Sequence, residues 1–278
     1  LFPNLLLAVD GVGCGFARRG REGWVFVACS TLCFASKPLE AALRQIVELE
    51  FHKIDLAIHE NGPHLKPSRV AIDAEAVLHQ LRNGPSLNIA SLDIRFGELD
   101  AASLARQFAA ICRFAKSLTV AVLTIPASAR GTPLETEIAR LKEMSALASA
   151  EGLVLSVLTE SETLTCDPGA AAALCEAVPG LALTLDPSHF INGPHQADTF
   201  DELYPYVQNV HFRDSGRKPG EFQVRVGQGE IEYGKVVTQL ERFGYDRGLT
   251  VAIHDRPDNT FDIELEVRKL KLLLESLL

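Results

Sequence analysis

Residues 183 to 190 read Leu-Thr-Leu-Asp-Pro-Ser-His-Phe, an apolar alternation that ends on a carboxylate, Asp186, with an imidazole, His189, three places on. Leu181, Leu183 and Leu185 have the pattern of a strand covered on both faces. The carboxyl end of such a strand is where parallel α/β proteins deliver side chains to a ligand. The same carboxylate is equally placed to cap a helical turn through Pro187 and Ser188. Two later apolar runs end alike, Asn209-Val210-His211-Phe212 and Val251-Ala252-Ile253-His254. A carboxylate with imidazoles can fix a metal that polarises a carbonyl or a vicinal diol, while a nearby carboxylate moves a proton.

These groups work together only if the fold gathers them. Strand-like runs fall at Trp24 to Cys29, Lys53 to Ile58, Leu87 to Ile94, Leu118 to Ile125, Leu153 to Leu158, Leu181 to Leu185, Val207 to Phe212 and Leu249 to His254. Their spacing of about 25 to 40 residues is that of one βα unit. Helical patterns lie between them at Pro38 to Glu50, Thr132 to Ala150, Ala170 to Val178 and Tyr233 to Phe243, and Asp262 to Leu278 closes the chain. With no linker to divide them, these elements predict a single-domain (β/α)8 TIM barrel over residues 24–278, and an open doubly wound sheet is the competing arrangement. A closed barrel makes neighbours of Glu60, Glu160, Asp186, His189, His211 and His254 at one mouth.

The bounds agree with one large globular domain. The chain has 278 residues, 47% of them hydrophobic. Its net charge of -9, from 36 acidic and 27 basic residues, opposes the basic footprint that a phosphate backbone requires, so nucleic acid is not an expected partner. Six cysteines without a Cys-x-x-Cys pair read as small buried hydrophobes in a reducing, cytoplasmic compartment. No apolar run approaches the ~20 residues needed to cross a bilayer. Residues 1–23 are expected to form a poorly structured appendage, since Leu1 to Val9 lacks the basic segment of a secretory signal and Gly13 to Ala17 lacks the context of a dinucleotide fingerprint.

Leu183 to Phe190, the segment His-Phe-Arg-Asp-Ser-Gly-Arg from His211 to Arg217, and Arg-Val-Gly-Gln-Gly-Glu-Ile from Arg225 to Ile231 resemble the xylose isomerase-like barrels. That superfamily includes sugar isomerases, ketose epimerases, inosose dehydratases and abasic-site endonucleases. The resemblance runs from about Val25 to the C-terminus. It implies a divalent metal held by a glutamate after strand five, Asp186, His211 and a glutamate after strand eight, with His189 and Arg217 contacting substrate. His59 and Glu60, in the loop after strand two, are further expected substrate contacts. The acidic balance, and Glu221 and Gln223 where the endonuclease branch carries Asp-x-His, argue against abasic-site cleavage.

The chain departs from this pattern at both glutamates, with Leu158 at one position and His254 at the other. Glu160 has the same parity as Leu158 along an extended chain and could face inward one step further out. Glu160, Asp186, His211 and His254 would then complete a metal site whose nitrogen ligands favour zinc, manganese, cobalt or iron over magnesium. Alternatively the metal site is lost and the pocket binds a ligand without it. The expected function is a sugar isomerase or epimerase-like enzyme acting on a small polyhydroxylated substrate, a sugar phosphate or sugar acid among the candidates, by metal-assisted proton transfer. Glu160 and His254 would move the protons and Arg217 would hold substrate oxygens. A dehydratase or lyase of the same superfamily and a metal-free ligand-binding protein are the alternatives, and pairing with a second copy of the chain is open.

Overall fold

The computed structural model describes residues 25–196 and 199–278. Residues 1–23, expected to form the appendage, and Trp24 lie outside these. Eight parallel strands close into one barrel in sequence order: β1 (Phe26–Ser30), β2 (Lys53–His59), β3 (Asn88–Arg95), β4 (Val122–Pro126), β5 (Val154–Leu158), β6 (Leu181–Leu185), β7 (Val207–Phe212) and β8 (Gly248–Val251). Closure is made by β8 against β1, with Phe26 opposite Gly248 and Cys29 opposite Val251. The (β/α)8 barrel expected from the spacing is therefore the fold, and the open sheet is not.

Helices α1 (Leu39–Glu48), α2 (Pro67–Ile72), α3 (Ala74–Arg82), α4 (Ala101–Ser117), α5 (Leu134–Ala150), α6 (Pro168–Ala177), α7 (Ser188–Ile191), α8 (Tyr233–Arg242) and α9 (Ile263–Glu275) fill the connections. Local chemistry sets several starts. Asp100 accepts from the Ser103 amide, Asp167 from the Gly169 amide ahead of a first-turn proline, and Asp262 from the Leu265 amide, each satisfying a donor the helix leaves bare. Apolar positions such as Ala42, Leu43 and Ile46 of α1 and Ile54, Leu56 and Ile58 of β2 are buried in one continuous core. Among the described residues no helix is long and apolar enough to cross a membrane. The five described cysteines are free and buried.

Two strand boundaries differ from the sequence reading. The run from Leu118 does not enter β4 directly, because α4 extends to Ser117, Leu118 caps it, and Thr119 turns the chain with φ 58° before extension begins at Val122. At the other boundary β8 ends at Val251. His254 lies beyond the ladder, its amide donating to Gln223 Oε1 at 2.7 Å and its carbonyl accepting from Gln223 Nε2 at 2.9 Å. Helices α2, α3 and α4 had no counterpart in the apolar periodicity, and an alanine-rich helix such as α4 carries a thin stripe.

The barrel interior is polar. Ser156 and Thr124 each bond Thr184 at 2.8 Å, hydroxyl to hydroxyl, and Ser91 donates to Asp55. All are fully or almost fully buried. Partners of this kind are required wherever hydroxyls replace the branched apolar layers of an ordinary barrel.

Candidate functional site

A cavity of about 260 Å³ opens at the carboxyl ends of the strands, lined by Leu32, His59, Asp93, Arg95, Leu158, Glu160, His189, His211, Arg213, Phe222, His254 and Arg256. Each charge in it is drawn from a strand end or the residues just after one, and most are matched across strands. His59 donates from Nε2 to Asp93 Oδ2 at 3.0 Å. Burial opposes ionisation of Asp93, yet His59, then Arg95 and His211, outweigh it and hold the carboxyl far below its usual range. Arg95 donates to Glu160 Oε1 at 2.9 Å. The Arg95 guanidinium is stabilised, against its burial, by Asp93 and Glu160.

Asp186 lies at the centre of the arrangement, fully buried. Its Oδ1 accepts from the Ser188 amide at 3.0 Å and the Ser188 hydroxyl at 2.5 Å, so it does cap the turn into α7. Its Oδ2 accepts from Arg213 Nη2 at 2.6 Å. Arg213 follows β7 directly and is 2% exposed. Its Nη1 lies 3.4 Å from His254 Nδ1, and its guanidinium carbon lies 5.1 Å from the Phe222 ring centroid. One guanidinium thus touches two of the four residues expected to bind metal.

The imidazoles divide by environment. His211 Nε2 is 3.2 Å from Asp55 Oδ2 inside the barrel, close enough for an ion pair though off the line of a hydrogen bond. Burial works against the His211 imidazolium, but Asp55, Asp93 and Asp186 raise its pKa above the ordinary value. His189 Nδ1 accepts from the Ser161 amide at 3.0 Å, which puts the proton of the neutral ring on Nε2, and Phe222 packs 4.6 Å away. Burial, with Arg213 nearby, lowers its pKa to about 4 despite Asp186. His254 is likewise pushed well below the usual value by burial, then by Arg213 and Arg256. Arg256 is depressed by burial first and by Arg213 second.

The donor set does not fit a divalent ion. Among the described residues no group of three or more His, Cys, Asp or Glu is arranged to hold one. The expected quartet is dispersed by its partners: Glu160 is held by Arg95, both oxygens of Asp186 are engaged, His211 faces Asp55, and His254 faces Arg213. Arg213 already neutralises Asp186, so a dication beside them would gain little net attraction from that carboxylate. Leu158 supplies no carboxylate to offset that. The zinc, manganese, cobalt or iron expected from the sequence therefore finds no prepared cage here.

Two expected substrate contacts also lie elsewhere. Arg217 is outside the cavity, in a second groove of about 280 Å³ between α7 and α8, where its Nε donates to Glu230 Oε2 at 2.6 Å and its Nη1 to the Gln196 carbonyl at 2.9 Å. Glu60 turns to the start of α2, accepting from the Ser68 amide at 3.1 Å and hydroxyl at 2.7 Å. Asp214, at the start of the same loop, accepts from the Gly227 and Gly229 amides and ties the loop together. The glycines are needed: Gly227 has φ +86°, and a Cβ on Gly229 would stand 2.1 Å from Asp214 Oδ1. Arg95, Arg213, Arg256, Phe222 and Asp55 were not singled out in the sequence. Arg95 and Arg213, at or just past strand ends, carried the one usable signal.

Solved structures share the architecture. A xylose isomerase-like TIM barrel protein from Mycobacterium smegmatis, in complex with magnesium, superposes with a TM-score of 0.71 at 15% identity, over 90% of this chain and 97% of that one. A 3-keto-D-glucoside 4-epimerase from E. coli gives 0.67 at 13% identity, over 91% and 99%. A probable 3-DHS dehydratase from Bacillus anthracis gives 0.69 at 14%, over 90% and 98%. No curated protein matches the chain in sequence. The family model of the xylose isomerase-like TIM barrel matches residues 43–273, and with the closed barrel and a polar cavity at its mouth, the chain belongs to that family.

Proposed function

We propose that the mouth cavity takes a small polyhydroxylated, sugar-type substrate and moves a proton on it, as a sugar isomerase or epimerase does, without a metal. One observation carries the reading. Asp93 Oδ1, Glu160 Oε2 and Arg213 Nε are buried, have no hydrogen-bond partner, and belong to side chains lining the same cavity. Bare buried polar atoms are destabilising by about 1–3 kcal/mol each, so their natural complement is a ligand rich in hydroxyls, which donates to the two carboxylates and accepts from the guanidinium.

The chemistry follows from the same atoms. Glu160 has one oxygen tied to Arg95 and the other free, the form of a carboxylate positioned to accept a proton from a carbon next to a carbonyl. The negative charge that then develops on the carbonyl oxygen is stabilised by the fixed Arg213 guanidinium, a preorganised cation in a largely desolvated place. Glu160, once protonated, returns that proton to the substrate carbon skeleton, which restores the carboxylate and balances the step. His254, held neutral with Nδ1 towards Arg213, is placed to hydrogen-bond the substrate. Solved structures of the same fold include one named as an epimerase and one as a probable dehydratase, and a sugar-directed proton transfer is in keeping with both names.

The test is hydrogen exchange. After chelation of divalent ions, the protein is incubated in D2O with a panel of ketoses, aldoses and their acids, and carbon-bound deuterium is followed by NMR. Exchange is expected for at least one compound and is lost in Glu160→Gln. A compound that binds but never exchanges would make the chain a binding protein; no binding by any polyhydroxylated compound would end the reading.

A further inference from the structure

We infer that Arg213 and Arg256 form a carboxylate receptor at the cavity mouth, so that the substrate is a sugar acid and not a neutral sugar. The inference rests on the proposed function and specifies its substrate class. The first support is charge matching within the cavity. Asp93 is met by His59, Glu160 by Arg95 and Asp186 by Arg213, each within hydrogen-bond distance. Arg256 is different: among the described residues its guanidinium makes no close ion pair and no hydrogen bond, and only Asp258 favours its charge at longer range, though it lines the same cavity. A guanidinium without a paired carboxylate in the cavity is a place where an anionic group of a ligand would be held.

The second support is the geometry of the two guanidinium groups. Both lie over Phe222, with Arg213 Cζ 5.1 Å and Arg256 Cζ 5.6 Å from the ring centroid. The aromatic ring holds two planar cations within electrostatic reach of each other without itself supplying an anion. Arg213 is 2% exposed, and its Nε–H, the one edge not turned to Asp186 or His254, has no acceptor. A planar carboxylate is the group that such forks bind through parallel charge-assisted hydrogen bonds. The rest of the cavity then reads the hydroxyls: Asp93 Oδ1 and Glu160 Oε2 are acceptors only, which suits a polyol tail and repels a second anionic group.

The experiment is calorimetric titration of the chelated full chain with three matched sets: aldoses, the aldonic and uronic acids derived from them, and their phosphate monoesters. An acid is expected to bind at least tenfold more tightly than its parent sugar, and the preference to fall towards unity in Arg256→Gln, whose side chain is exposed and outside the core. Equal affinity for acid and neutral sugar, a preference that survives Arg256→Gln, or tighter binding of the phosphate monoester would each overturn the carboxylate receptor and leave the proposed function standing. Failure of every compound to bind would remove both.

Discussion

Arg213 and Arg217 leave β7 on the same loop, four residues apart, and end in opposite situations. Arg217, in the groove between α7 and α8, is half exposed, with its guanidinium engaged by Glu230 and the Gln196 carbonyl. Arg213, at the mouth, is buried against Asp186 with one donor unmet. A satisfied charge at a surface groove holds the loop; a buried charge with a bare edge is where a ligand completes the structure. The barrel interior teaches the same lesson from below, because the hydroxyls of Thr124, Ser156 and Thr184 close on one another and ask for nothing further.

The most severe break of this contrast is Arg213→Met. It leaves the Asp186 carboxylate buried without a counter-charge, a loss expected to reach about 3–5 kcal/mol in urea unfolding. Asp186→Leu combined with Arg213→Met should recover most of it. If the single variant unfolds like the parent chain, the buried pair is not the centre described above. Glu160→Gln is expected to slow proton exchange by about 10²–10⁴-fold while leaving the unfolding midpoint nearly unchanged, since Arg95 keeps an amide oxygen as acceptor. A rate unaltered by this change moves the base to another residue.

Acid should weaken the mouth before the rest of the molecule. The unfolded His189 ring takes a proton near pH 6.5, whereas the folded ring resists it until about pH 4, so stability present at neutral pH is lost progressively across that window. His254 adds in the same direction. Stability measured from pH 7 to pH 4.5 should fall, and His189→Gln should flatten the slope; a parent profile with no fall would contradict the neutral assignment. Excess zinc or manganese is expected to raise Tm by less than ~1 °C, because an ion without a cage contributes no linkage. Leu158→Glu alone should not change that while Arg213 remains, whereas Leu158→Glu with Arg213→Gln should. The smallest effect is expected for Arg217→Ala: below about 1 kcal/mol in stability, as for exposed pairs, and no change in ligand affinity by titration.

Much of this was legible before any coordinates. β2, β5, β6 and β7 begin within a residue of their apolar runs, and Asp186 and His211 fall where strand ends predict. Where Glu160, Arg217 and Glu60 direct their side chains was not, because that depends on which partner reaches a long side chain first. His254 illustrates the limit: its apolar run suggested a strand end, yet Gln223, from a loop thirty-one positions earlier, takes its backbone and sets its direction.

The sequence by itself determined the barrel and part of its mouth, His59, Glu160, His189, His211 and His254 among the lining groups, since strand periodicity and βα spacing are local properties that the chain writes in order. Only the tertiary structure decided that a guanidinium, and no cluster of carboxylates, sits beside Asp186. Pairing among buried charges depends on separations of a few ångströms between strands that are distant in the chain, and no local pattern encodes those distances.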